Sequence, residues 1–237
     1  MHGACSESTW HKIHIIRCGL HFSQSDQQPT PVPATHQLLN IGRLSKEKGQ
    51  LQLLRAVARV VEAGIPVRLI LAGDGPMRPL LESEIDRLCL HGVVKLAGWV
   101  GGATVADLLR SSRALVVSSF AEGLPIVLME CFRAGRPAIA ANVGGIAELV
   151  EPGVSGWLVP PGDEARLAAC MREVLTASPE QLTRMGQAGY ATVQQMHDVR
   201  CEAQKLSDLF AEVMTDAPPA FGGRPNSRIR GGEAARY

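Results

Sequence analysis

Ala114-Leu-Val-Val-Ser-Ser-Phe-Ala-Glu-Gly-Leu-Pro-Ile-Val-Leu-Met-Glu130 reads as strand, turn and helix in one pass. Ala114–Ser118 is a short apolar run of β-forming residues. Pro125 sits where a helix would begin and fits the first helical turn, because it has no backbone N–H to lose there. Glu122 is therefore expected in the loop at the C-terminal end of the strand, and Glu130 on the first turns of the following helix. The free N–H groups of that helix start, near Leu124, Ile126 and Val127, favour an anion. Two carboxylates accept hydrogen bonds from hydroxyls while the helix start takes a phosphate. A polyhydroxylated, phosphorylated ligand suits such a crevice. The spacing alone is also that of an electrostatic cap and a solvated face residue, so the reading depends on what flanks it.

Outward from this unit the same pattern repeats. Strands are expected at His36–Ile41, Val67–Ala72, Val93–Ala97, Pro137–Ala141 and Gly156–Val159, with helices at Lys48–Glu62, Met77–Leu90, Thr104–Arg110 and Leu124–Ala134. Near-continuous apolar strands alternating with helices imply an α/β, doubly wound, Rossmann-like parallel sheet covered on both faces. Ligands of such sheets sit at the C-terminal strand ends. Residues 12–17 read as one more strand, standing apart from the sheet, and Ser23–Thr35 as a polar, Pro-containing linker. Asp163 caps a helix running to about Ala177, and helices near Pro179–Met196 and His197–Met214 follow. The Pro-, Gly- and Arg-rich end reads as a disordered tail. The organisation is then residues 1–35 as a strand and linker, 36–214 as the wound domain, and 215–237 as the tail.

Four loops at the strand ends carry the chemistry. Ile41-Gly-Arg-Leu-Ser-Lys-Glu-Lys-Gly49 supplies Gly42 for a tight turn, and Arg43 and Lys48 as cations for a diphosphate. Positive charge at a helix start is unfavourable unless an anion balances it. Ala72-Gly-Asp-Gly-Pro76 lets a ligand approach the backbone at Gly73, although strand-to-helix turns are Gly-rich in any case. It lacks the third glycine of the dinucleotide fingerprint. Trp99, after the third strand, either borders a base or packs. Gly144-Gly145-Ile-Ala-Glu148 is a flexible turn that is equally a plain connection. Their convergence on one edge carries more weight than any of them singly, and a nucleotide sugar is the molecule that fits them together.

The chain has 237 residues, 46% hydrophobic and 20% charged, with a net charge of +1. That balance is ordinary for a soluble domain and gives no footprint for nucleic acid. The six cysteines form no C-x-x-C pair and no His-linked cluster, as expected of reduced thiols in the cytoplasm. The start shows no secretory pattern, and the longest apolar runs are strand-sized, so no transmembrane segment is expected.

Gly42-Arg43-Leu…Lys48-Gly49, Gly73-Asp-Gly-Pro76, Ser118-x-x-x-Glu122-Gly-Leu-Pro-x-x-x-x-Glu130, Gly135-x-Pro137 and Gly144-Gly145-x-x-Glu148, in that order, closely resemble retaining glycosyltransferases of family 4. The resemblance covers roughly residues 12 to 214. It implies the C-terminal, donor-binding half of a GT-B fold. By this resemblance Arg43 and Lys48 clamp the donor diphosphate, Glu130 accepts the ribose hydroxyls and Glu122 binds hydroxyls of the transferred sugar. Backbone N–H groups after Gly123, through Leu124 and Ile126, touch sugar and phosphate. No Asp-x-Asp motif is present, so the resemblance implies no metal and no cofactor, only a UDP- or GDP-sugar as substrate. The acceptor it implies is a saccharide or a lipid-linked sugar, which leaves open peripheral contact with the inner face of a membrane.

Family members carry an N-terminal Rossmann-like domain, and only about eleven residues stand here before the strand at 12–17. The expectation is therefore a fragment, or a separate chain that supplies the acceptor domain. The final helix crosses onto that domain in the family, which would leave Leu206, Leu209, Phe210 and Val213 without their partner surface. Two other classes stay open: a nucleotide-sugar-binding module inactive by itself, and a related GT-B epimerase or NAD-binding domain. The phosphate clamp and glutamate pair speak against a dehydrogenase.

Overall fold

β-Branched and leucine-rich runs flanked by glycine turns produce six parallel strands in this computed structural model, which describes residues 12–22 and 28–216. The strands are β1 (Gln37–Ile41), β2 (Arg68–Ala72), β3 (Val94–Gly98), β4 (Ala114–Val117), β5 (Ala138–Ala141) and β6 (Gly156–Val159). Each lies within about a residue of its expected position. The helices are α1 (Gln50–Glu62), α2 (Arg78–Arg87), α3 (Gly102–Ser111), α4 (Ile126–Arg133), α5 (Ile146–Leu149), α6 (Glu164–Thr176), α7 (Pro179–Met196) and α8 (Val199–Asp216). The sheet order is β3-β2-β1-β4-β5-β6, with Leu38 opposite Ala114 and Leu39 opposite Leu115 where β1 meets β4. The chain reverses its winding direction at that junction, and the loops leaving β1 and β4 diverge there to open a crevice.

The two-residue period of the strands sorts their side chains into two cores. Leu38, Leu69, Leu71, Ala114, Val116 and Ile139 face helices α1, α2 and α6 through Leu53, Val57, Leu81, Leu167 and Met171. Leu39, Ile70, Leu115, Val117, Ala138 and Ala140 face the other layer through Leu109, Leu128, Phe132, Ile146 and Val193. Phe132 is fully buried, a contribution of about 1.5–3 kcal/mol by transfer of its ring from water. Asp163 caps α6 by accepting from the backbone N–H of Arg166, as its position before the helix predicts.

Four expectations are corrected. Residues 12–17 form no strand: a ladder needs a neighbour, and among the described residues the only pairing nearby is a single bridge between Leu20 and Asp198. Ile13 and Ile15 are accordingly exposed. Pro125 is extended (φ −73°, ψ 118°) and precedes α4, so the helix starts at Ile126 and Leu124 lies outside it. Lys48 ends a short 3₁₀ turn (Lys46–Lys48), and Gly49 in the left-handed region separates it from α1. Residues 28–35 of the expected linker are packed: Val32 is buried, and its N–H donates to Thr183 Oγ1 at 2.9 Å. The expectations for 1–11, 23–27 and the tail beyond 216 lie outside the described residues.

Of the α8 stripe, Leu206, Phe210 (58%) and Val213 (59%) are exposed, while Leu209 is half-buried. No helix of the described residues is long and apolar enough to cross a membrane.

Candidate active site

The loops after β1 and β4 are fastened to each other at the switch point. The Phe120 N–H donates to the Glu47 carbonyl at 2.7 Å, and Ser118 Oγ donates to the Lys48 carbonyl at 2.9 Å. This pins the Lys48 backbone beside the strand end. Its ammonium then donates to Glu122 Oε1 at 2.7 Å, and Ser119 Oγ donates to the same oxygen at 2.6 Å. The Glu122 side chain is only 10% exposed and that of Lys48 31%, so the pair sits in a partly desolvated crevice where charge interactions outweigh those on an open surface.

Two glycine loops brace this centre. A Cβ on Gly144, which holds φ +55°, would overlap the carbonyl oxygen of Glu122, and the Gly145 N–H donates to the Gly123 carbonyl at 2.8 Å. The turn after β5 is thus a buttress for the Glu122 loop. Gly73 plays the equivalent part for the β1 loop: a Cβ there would overlap the Gly42 carbonyl, and the Gly42 N–H donates to Ala72 at 3.0 Å. Its backbone conformation is explained by loop packing.

Arg43 is exposed, and its guanidinium makes no hydrogen bond or ion pair with the described residues. Its carbonyl is held by Gln50 Nε2 at 3.0 Å, which anchors the backbone and leaves the side chain at liberty. The first N–H groups of α4, at Ile126 and Val127, have no side-chain cap. Ile126 is 55% exposed and Leu124 partly buried against Gly145.

Glu130 lies elsewhere. Four residues into α4 beyond Ile126, about 6 Å along the axis, it lines a cavity of ≈210 Å³ between α3 and α4, together with Val105, Ala106, Leu109, Arg133 and Thr30. Burial raises its pKa, with the Arg133 charge acting partly against that. Trp99, beside this region in sequence, is 86% exposed, which disposes of a packing role among the described residues.

Sequence reading missed Ser119, the Gly144 buttress and the fastening of Arg136. Arg136 is 1% exposed and donates to the carbonyls of Leu109, Thr30, Ala134, Gly135 and Arg110 and to Thr30 Oγ1. It thereby ties α3, the end of α4 and the 28–35 segment around the Glu130 cavity. A Ser three residues before a loop glutamate is a signal that was available, although Ser118 is the one that stood out by spacing. Among the described residues no group of three His, Cys, Asp or Glu is placed to hold a metal ion.

A parallel sheet of this order with charged loops at its switch point is the doubly wound arrangement of Rossmann-like nucleotide-binding domains. Residues 23–192 match the family model of glycosyl transferases group 1, and the chain belongs to that family. It is 28% identical over 74% of its length to an alpha-D-kanosaminyltransferase of Streptomyces kanamyceticus, covering 45% of that protein. It is 31% identical over 66% of its length to a putative colanic acid biosynthesis glycosyltransferase, WcaL, of Escherichia coli, covering 40% of it. The chain thus spans less than half of these curated relatives. Among solved structures, the Anabaena protein HepE in complex with UDP superposes with a TM-score of 0.69 at 28% identity over 76% of this chain and 50% of that one. A sucrose-phosphate synthase of Thermosynechococcus elongatus superposes at 0.74 and 26% identity, over 86% of this chain and 53% of its own.

Proposed function

We propose that residues 36–214 are the donor-binding domain of a retaining hexosyltransferase that takes its sugar from a UDP- or GDP-sugar. The single observation that carries this reading is the Lys48–Glu122 pair at the switch point, with an exposed Arg43 side chain nearby in sequence and an uncapped helix start after it. In this reading Arg43, Lys48 and the Ile126 and Val127 N–H groups face the diphosphate. Their charge grows in value as the glycosidic bond breaks and the leaving diphosphate gains negative charge, because these donors are already oriented in a sheltered crevice. Glu130, in a cavity with an apolar wall, takes the ribose hydroxyls, and the burial that raises the pKa of its carboxyl shelters those hydrogen bonds from water. Glu122 takes hydroxyls of the transferred sugar.

The acceptor in this proposal is a saccharide or a lipid-linked sugar, the product a polysaccharide or glycolipid, and a lipid-linked acceptor would bring the protein to the inner membrane face. HepE, solved with UDP and with UDP-glucose, supports the nucleotide reading by likeness. A second reading, a donor-binding module completed by a separate acceptor domain, is favoured by the exposed Leu206, Phe210 and Val213 of α8.

Calorimetric titration with UDP and with GDP tests the first reading, with the Arg43→Ala/Lys48→Ala double variant as control. Binding of one nucleotide, lost in the control, is the expected result. Equal binding in the control sinks the diphosphate assignment. Sugar transfer that starts only when a candidate acceptor domain is added would favour the second reading.

A further inference from the structure

We propose that Ser119 is a positioning residue that locks one oxygen of Glu122 so that the other is presented to a hydroxyl of the transferred sugar. This rests on the nucleotide-sugar reading above and adds to it a residue that neither the motifs nor the relatives assign. Ser119 is 2% exposed, and its hydroxyl donates to Glu122 Oε1 at 2.6 Å, the same oxygen that Lys48 reaches at 2.7 Å. Oε1 therefore holds two donors, and Oε2 accepts no hydrogen bond from the described residues.

The two donors differ in what a diphosphate does to them. The Lys48 ammonium sits on a flexible four-carbon stem, and an arriving phosphate competes with Glu122 for it; the same phosphate also repels the carboxylate. A carboxylate held by Lys48 alone would be drawn away or pushed aside when the donor binds. The Ser119 hydroxyl is neutral and buried. Its backbone is pinned on both sides, by Ser118 Oγ to the Lys48 carbonyl and by the Phe120 N–H to the Glu47 carbonyl. Gly144 closes against the Glu122 carbonyl from the other side. Ser119 thus keeps its hold on Oε1 with and without ligand, and Glu122 keeps Oε2 directed at the sugar when Lys48 turns to the phosphates.

The test compares wild type, Ser119→Ala and Ser119→Thr by calorimetry with UDP and UDP-glucose, and with GDP and GDP-mannose. Ser119→Ala should weaken the nucleotide sugar about tenfold, the worth of one hydrogen bond to a charged group, and the bare diphosphate less than twofold. Ser119→Thr, which keeps the hydroxyl, should restore the nucleotide sugar. Equal loss for both ligands, with a lowered melting temperature, would make Ser119 merely structural and overturn the proposal. Unchanged binding of both would overturn it too. If wild-type protein binds neither diphosphate, the underlying nucleotide reading itself falls, an outcome distinct from a Ser119 variant that behaves like wild type.

Discussion

The Lys48–Glu122 edge and the Arg136 hub are both places where a cation meets oxygen atoms, and they differ in what is left over. Arg136 is saturated: five carbonyls and a threonine hydroxyl surround it, and burial lowers its pKa without stripping the charge from a guanidinium. At the edge, Lys48 has one carboxylate oxygen, the Arg43 guanidinium makes no hydrogen bond or ion pair with the described residues, and an uncapped helix start lies alongside. Saturation makes a joint. Unspent donors around a crevice make a site for a ligand that brings its own oxygens.

That contrast breaks if Arg136 proves dispensable. Arg136→Met removes the donor from the part-buried carbonyls of Arg110 and Thr30 and leaves the Leu109 carbonyl only the Ser112 N–H, and should cost about 3 kcal/mol or more in stability by denaturant unfolding. A cost below about 1 kcal/mol would place Arg136 with ordinary surface residues.

Arg43→Ala should do the opposite. Stability should stay within about 0.5 kcal/mol of wild type, while affinity for the diphosphate drops by about 1.5–3 kcal/mol, or tenfold to a hundredfold. A lowered unfolding midpoint with unchanged affinity would reverse the assignment of the edge.

Glu84 supplies a second saturated cluster away from the edge, joined to Arg87 and to Arg55, which also reaches Glu164. Its hydrogen bonds with Arg87 first, and then with Arg55, hold its pKa down to about 2 against an ordinary 4.5. A folded-state pKa below the unfolded value means stability that is fully present above pH 4.5 and lost as pH falls towards 2. Glu84→Gln should therefore flatten the acid limb of the stability curve and cost about 1–2 kcal/mol at neutral pH, screening by solvent included. Identical acid limbs for the two proteins would refute it.

Smallest is the effect at Glu130. If ribose hydroxyls donate to the ionised carboxylate as proposed, nucleotide affinity should be highest above its raised pKa and fall as the solution is acidified through it. Glu130→Gln should lower affinity by about 1 kcal/mol, roughly fivefold, and remove that pH dependence. A variant that keeps the slope would show that another group titrates.

Most of the fold was legible because its signals are local. Apolar runs of strand length, bounded by Gly42, Gly73 and Gly98 turns, mark β1 to β3 without reference to anything distant. Residues 12–17 misled for the converse reason: Ile13, Ile15 and Ile16 have the composition of a strand, but a strand exists only where a neighbour accepts its hydrogen bonds. Pro125 misled by one residue, since its fixed φ suits both the position before a helix and its first residue.

The candidate site divides along the same line. Local sequence places Arg43 and Lys48 after β1 and Glu122 after β4, all at C-terminal strand ends, because a parallel sheet sends every such loop to one edge. That Lys48 and Glu122, 74 residues apart, touch at 2.7 Å follows only from β1 and β4 being neighbours, which is a matter of strand order. The choice between Ser118 and Ser119 was likewise made in three dimensions. Successive side chains leaving a strand point to opposite sides, so Ser118 reaches back to the Lys48 carbonyl while Ser119 reaches Glu122. Residue types and their periodicity determined the wound sheet and which loops would carry charge. Tertiary structure alone decided which charges are spent on each other and which remain for a ligand, because hydrogen bonds across the fold depend on strand order and the pleat, and neither is written in any single stretch of the chain.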